Sequence, residues 1–376
     1  MSFRRALVMT ALILLPVASA QAVPIDLPLR TFVARDLPLT GTGPMPSGGK
    51  HCRLTHNPDN GRIYFEGGDW GGTNGFPESG RQELYSYAIS DDSWRLEHPY
   101  CVGSGQYQPQ NPDEVTWAWD SQRHIFWMVP GYQGASGAAC PQTPPPVRSK
   151  MMTFDPVTKL WTLPARTQPP DIDTGSCRFG VYDPITDTII RFTYAGCPGV
   201  TIYDIKTDVW TRVCFPNFNH DIAWEYTALD VPGRALYVLD GVADQILRYN
   251  IDQRTLTPLA ALPRDASTGE SNIAWDSVNR VVFWIMGGGC NSTLAASAHV
   301  YHPVTNTWET MPITQPQGYN VASNHVVYDP GQNAFIIMGC PSGEQTGKFF
   351  LYRYADGSGA PADSIPPSVP ANFRPR

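Results

Sequence analysis

The sequence predicts an all-β fold, a six-bladed propeller whose last blade is completed by a strand from near the N-terminus. Three observations carry that expectation. A unit of two hairpins recurs six times, an Asx residue opens the same turn in every copy, and an orphan strand early in the chain matches what the last copy lacks. Composition agrees: charged residues make up only 16%, against 33 Gly, 36 Pro, 11 Trp and 17 Tyr, which is the balance of aromatic strands cut by Gly/Pro turns.

The unit is clearest at Asn272–Asp276 and Arg280–Gly288, which read as strand, tight turn, strand and glycine-rich exit. A second hairpin follows, with Val300-Tyr301 before the turn at Pro303–Thr307 and Trp308 after it. The same pattern returns at Leu54–Gly68 with Leu84–Leu96, Trp117–Gly131 with Met151–Pro164, and Phe179–Gly196 with Thr201–Val213. It recurs again at Ala228–Gly241 with Ile246–Leu259, and a sixth copy, Val326–Gly339 with Phe349–Tyr354, ends early. Asn57, Asp120, Asp183, Asp230, Asp276 and Asp329 each stand four residues before Gly61, His124, Asp187, Arg234, Arg280 and Asn333, where an Asx side chain bonds the turn backbone. Trp94, Trp161, Trp210 and Trp308 mark fourth strands, and Trp161 and Trp210 are 49 residues apart. A period near 50 residues with four strands per unit closes into a propeller.

With the glycine pair after the second strand and the Tyr/Asp…Trp hairpin, the chain resembles the kelch-repeat and galactose-oxidase-like propellers over residues 30–355. The resemblance implies fold far more than activity. Thr31–Pro38 resembles an isolated fourth strand such as Thr307–Pro312, and pairing it with the last blade would bury an exposed edge.

Residues 1–22 read as a secretory signal. Arg4 and Arg5 precede an apolar run from Ala6 to Val17, and Ala18-Ser19-Ala20 offers cleavage near Ala20 or Ala22. The expected location is periplasmic or secreted, without membrane insertion, and residues 356–376 read as a Pro-rich tail or linker. Net charge is −7 and becomes more negative once Arg4 and Arg5 are removed, so no nucleic-acid partner is expected. A monomer is expected.

Eight cysteines in an exported chain predict disulfides. All fall at first-strand entries, fourth-strand exits or second-to-third-strand loops, on one face. Pseudo-symmetry pairs Cys52 with Cys101, Cys177 with Cys214, Cys140 with Cys197 and Cys290 with Cys340, one scheme among many that the sequence permits.

The same face carries the long segments Gly67–Glu83, Glu97–Asp113, Gly131–Lys150 and Cys214–Trp224, which hold Trp70, Phe76, Tyr107, Tyr132, Phe215 and Phe218. Aromatic rings on loops above a rigid scaffold are a usual way to build a binding face, and ring faces suit sugar C–H surfaces. Polar residues at first-strand entries point to the channel mouth: His51 and Arg53, Glu114, Arg178, Glu225 and Tyr226, Glu270 and Asn272, and His325. Gly131-Tyr132-Gln133 and Tyr301-His302 resemble fragments of the galactose-oxidase copper site but stand in the wrong strands, so no metal site or cofactor is carried over. Nucleophile elbows and phosphate loops are also lacking. The leading expectation is a recognition module for a glycan or protein partner, acting through the loop face. The alternative is a carbohydrate-active enzyme at the channel mouth, of sugar-acid mutarotase or oxidase type, on the resemblance to exported six-bladed sialate mutarotases.

Overall fold

A computed structural model describes residues 25–36, 39–40, 43–44, 53–66, 84–99, 116–130, 150–170, 180–193, 197–215, 227–241, 243–263, 272–285, 298–311, 325–338 and 348–358. Six four-stranded antiparallel sheets form the blades of a propeller. Blade 1 comprises Arg53–Asn57, Arg62–Glu66, Leu84–Ala88 and Ser93–His98, and blade 2 comprises Thr116–Asp120, Ile125–Val129, Met152–Asp155 and Leu160–Thr162. Blade 3 is Gly180–Asp183, Thr188–Thr193, Gly199–Asp204 and Val209–Cys214, and blade 4 is Ala228–Asp230, Ala235–Asp240, Gln245–Asn250 and Thr255–Ala261. Blade 5 is Asn272–Asp276, Val281–Ile285, Ala298–His302 and Thr307–Met311. Blade 6 takes His325–Asp329, Ala334–Met338 and Lys348–Tyr352, then borrows Phe32–Asp36 as its outer strand.

Local chemistry explains the turns. In the first hairpin of every blade the Asx side chain accepts turn N–H groups: Asp120 from Gln122 and Arg123, Asp276 from Val278 and Asn279, and Asp329 from Gly331 and Gln332. Four residues on, the chain adopts the left-handed conformation in all six blades, with φ of 64° at Gly61, 57° at His124, 56° at Asp187, 50° at Arg234, 57° at Arg280 and 47° at Asn333. Five of the six are not glycine, so the Asx bonds and sheet hold a backbone that an L-residue disfavours by roughly 1–2 kcal/mol. The outer hairpins follow the same plan. Tyr87, Tyr203 and Tyr301 donate their hydroxyls to Asp92, Asp208 and Asn306, the left-handed residues of those turns. Each of these tyrosines faces the fourth-strand Trp across the ladder, as in Tyr203 with Trp210 at 4.7 Å between ring centroids. The repeated Tyr and Trp are therefore one packing unit.

Between the blades lie six apolar layers, one for each neighbouring pair. Ile63, Phe65 and Tyr87 of blade 1 pack on Ile336, Phe349 and Leu351 of blade 6, and Phe126 and Phe154 of blade 2 pack on Tyr64 of blade 1. Blade 3 meets blade 4 through Ile190, Phe192, Leu236 and Tyr249, and blade 5 meets blade 6 through Phe283, Val300, Phe335 and Tyr352. Both faces of each sheet are thus buried, which explains why second strands such as Val281–Ile285 read as continuous apolar runs.

Closure follows the expected route and extends beyond it. Phe32–Asp36 runs antiparallel to Lys348–Tyr352 with Phe32 opposite Tyr352 and Asp36 opposite Lys348. Leu27 is buried in the layer between blades 6 and 1. Arg353 donates to the backbone carbonyls of Ile25 at 2.9 Å, Leu27 at 3.2 Å and Gln332 at 2.9 Å. Arg30 pairs with Glu309 of blade 5 at 2.9 Å, and Glu309 also accepts from Tyr354. The sequence announced the strand but not the latch at residues 25–30 that precedes it.

Two expectations need correction. Cys197 is bonded to Cys214, not Cys140 to Cys197 or Cys177 to Cys214. The reason is register: Gly199 is opposite Cys214, so the entry to the third strand and the exit of the fourth meet within blade 3, with Cα atoms 5.6 Å apart. A Cβ on Gly199 would lie 2.0 Å from the Val213 carbonyl oxygen, so glycine is needed for that approach. Cys52, Cys101, Cys140, Cys177, Cys290 and Cys340 lie outside the described residues. Glu97 also belongs to the fourth strand of blade 1, where it is buried and bound by Lys159 and Ser86, not to a loop.

Deleting residues 30–38 is expected to lower the melting temperature of the whole domain, since both closing edges then lose their partner; wild-type melting would contradict the closure. A non-reducing peptide map of exported protein is expected to give a Cys197–Cys214 peptide. Replacing both by Ala is expected to cost about 3 kcal/mol in denaturant unfolding, the scale for a loop of about 15 residues.

Candidate functional site

The two ends of the propeller differ in kind. At one end every connection is a short hydrogen-bonded turn, and neighbouring blades are tied together there. Arg123 of blade 2 reaches Asp187 of blade 3 at 2.6 Å, and Arg234 of blade 4 reaches Asp183 of blade 3 at 2.7 Å. His124 contacts Asp59 of blade 1, and Gln122 donates to the Pro184 carbonyl at 2.9 Å. Burial pushes Asp183 up, but hydrogen bonds from Arg234 and Thr186 outweigh it and hold the carboxyl below its ordinary range. At the other end emerge the long connections, including residues 67–83, 100–115, 131–149 and 216–226.

The central channel runs between these ends, and its described part encloses about 410 Å³. All six first strands contribute. One layer consists of His56, Trp119, Tyr182, Leu229, Trp275 and Tyr328, the residues immediately before the six Asx positions. Closer to the turn face, Pro58, Ser121, Pro184, Val231 and Pro330 ring the opening. No Asp, Glu, Lys or Arg lines this part of the channel among the described residues. The Asx side chains next in sequence are drawn into their own hairpins, where they accept turn N–H groups and are buried.

His56 is the imidazole among these lining residues, beside the hydroxyls of Thr55, Ser121 and Thr227. Its Nε2 lies 3.4 Å from Asp329 Oδ1 of blade 6, but burial drives both toward neutrality. Desolvation lowers the imidazole to about 4 and raises the Asp329 carboxyl to about 6, the latter opposed only in part by the N–H groups of Gln332 and Gly331. The contact is therefore not a charged pair across the range from pH 4 to 6, despite its separation.

Among the residues expected to form the site, His325 opens the first strand of blade 6, is 5% exposed, and pairs with Met338. Arg53 opens the first strand of blade 1 opposite Glu66. Asn272 opens that of blade 5, and its buried Oδ1 finds no hydrogen-bond partner among the described residues. The backbone thus brings these strand entries to the loop end of one ring. Arg178, Glu114, Glu225, Tyr226, Trp70, Tyr107 and Tyr132 lie outside the described residues. Phe215 packs down on Tyr249 of the next blade, 6.1 Å between ring centroids, so this loop aromatic serves the core.

Arg191 escaped the sequence reading. It is fully buried in the second strand of blade 3 and donates to the Pro130 carbonyl of blade 2 at 2.8 Å. Gly180 stands opposite it, and a Cβ there would lie 2.6 Å from Arg191 Cγ. The signal was available: in the other five second strands this position holds Phe65, Met128, Val238, Trp284 and Ile337, while Leu54, Trp117, Thr227, Ile273 and Val326 occupy the place of Gly180. An arginine where the repeat specifies an apolar residue, with a glycine opposite to admit it, marks a local departure from pure packing. It fixes the last residue before the 131–149 connection.

No protein-family model matches the chain, and no curated protein matches it in sequence. The architecture alone defines its class: a six-bladed β-propeller with a stapled turn face, a channel without a charged side chain among its described lining residues, and a loop face.

Asp329→Asn tests the electrostatics of the channel wall. A carboxyl raised to about 6 contributes stability through its proton that is complete below the unfolded pKa near 4 and lost as pH rises through 6. Asn keeps the acceptor for Gly331 and Gln332 and mimics the protonated form. The variant is expected to be more stable than wild type at pH 8, on the order of 2 kcal/mol, and indistinguishable near pH 4. Chemical denaturation at both pH values measures this.

Proposed function

We propose that the chain is an exported recognition propeller that binds a glycan through its loop face. The observation that supports this is the asymmetry of the two ends. One face is built of minimal turns locked by Arg–Asp bridges, and every long connection leaves from the other. Those connections carry Trp70, Tyr107 and Tyr132 in sequence, and rings on loops held by a rigid scaffold suit the C–H faces of sugars. The repeat's resemblance to kelch propellers fits this reading. Export rests on the leader-like residues 1–22; the Cys197–Cys214 bridge is compatible with an oxidising compartment, and no helix among the described residues is long and apolar enough to cross a membrane.

Screening the mature protein on a glycan array, with a pull-down for protein partners, tests the reading. Trp70→Ala and Tyr132→Ala are expected to weaken binding at least tenfold at unchanged melting temperature. Asp276→Ala removes acceptors for Val278 and Asn279 and is expected to lower stability by about 1 kcal/mol while binding persists. Binding lost in Asp276→Ala alone would place the site on the turn face. Turnover of a sugar acid, abolished by Arg178→Ala, would replace recognition by catalysis at the channel mouth.

A further inference from the structure

We infer that the central channel, entered from the turn face, is a binding site for a small, neutral, planar molecule, separate from the loop face. Its volume of about 410 Å³ falls among small-molecule sites, which span roughly 300–1,000 Å³. The half-buried Trp275 presents ring surface to it, while Trp119, Tyr182 and Tyr328, packed in the layers between blades, show only their edges, so the wall offers a flat ligand mainly edge contacts.

The polar groups of the wall narrow the ligand class. Thr55 donates its hydroxyl to the Trp117 carbonyl at 2.6 Å, Tyr182 donates to Asp187 at 3.0 Å, and Tyr328 donates to Asn333 at 2.8 Å. These three donors are committed within the protein, so an apolar ligand surface against them leaves none of the three without a partner. A charged ligand would lose its hydration without meeting a counter-charge among the described lining residues. The neutral imidazole of His56 and the hydroxyls of Ser121 and Thr227 are the wall's other polar side-chain groups, all of them uncharged. Pro58, Pro184 and Pro330 stiffen the opening, and the bridges of Arg123 and Arg234 hold the blades around it, so the cavity is preformed and a ligand meets little ordering cost.

Titration of the mature protein with N-phenyl-1-naphthylamine, a neutral dye that brightens in apolar surroundings, tests the inference. Saturable binding of one dye per chain is expected. Leu229→Trp and Val181→Phe fill the channel from different blades and are expected to weaken it at least tenfold, whereas Val304→Trp on an exposed outer turn leaves it unchanged. The anionic dye 8-anilinonaphthalene-1-sulfonate is expected to bind at least tenfold more weakly. Should neither channel variant fold, the ring resonances of His56 in wild-type protein, assigned with His56→Gln, are expected to shift on dye addition. Absence of saturable binding, equal affinity in folded channel variants, equal binding of the anionic dye, or an unmoved His56 resonance would each overturn the inference.

Discussion

Everything in this molecule depends on the pairing of Phe32–Asp36 with Lys348–Tyr352. A ring of sheets has six interfaces only if it closes, and the sixth copy of the repeat supplies three strands, not four. The N-terminal strand completes that blade, and Leu27 then joins the layer against blade 1. Arg353 converts the junction into more than a sheet edge, because its guanidinium binds carbonyls from both ends of the described chain, at Ile25, Leu27 and Gln332. Phe32 adds ring contacts to Tyr352 at 4.6 Å and Phe350 at 6.2 Å. Without this junction, two apolar layers would face water and the channel would lose its continuous wall.

Closure also divides the work between the two ends. First strands converge on the axis, so whatever precedes each Asx residue becomes channel wall, and whatever follows becomes the turn face. Five carboxylates stand one residue from the wall and are buried in their hairpins, Asp329 lying also 3.4 Å from His56. This spends that acidity on turn geometry and blade-to-blade bridges and leaves the described lining of the axis without a charged side chain. His56 and Asp329 show the cost of the exception, each held away from its charged form by burial.

The fold was legible because each blade repeats the same local instructions. Asx four residues before a left-handed residue, and Tyr before Trp across the second turn, are short-range signals that survive without knowledge of the whole. The disulfide was misread for the opposite reason. Pseudo-symmetry relates whole blades, but the Cys197–Cys214 bond depends on the register of one hairpin, in which Gly199 stands opposite Cys214. The latch at residues 25–30 was missed because it consists of backbone carbonyls meeting Arg353, and carbonyls carry no sequence signature. The channel was likewise invisible until six separate strands were placed around one axis. Arg191 was readable in principle, as a charge in a column of apolar residues opposite a unique glycine, and only a column-by-column comparison of the copies brings it out.

Native-state hydrogen exchange on the amides of Val33–Arg35 and Phe349–Leu351, compared with those of Ile189–Arg191 in blade 3, measures the closure most directly. If the closing strand is integral to the ring, both sets exchange with the same opening free energy, equal to that of global unfolding. Exchange of the closing strands several kcal/mol below the blade 3 amides would show that blade 6 opens alone and that the ring does not depend on its junction.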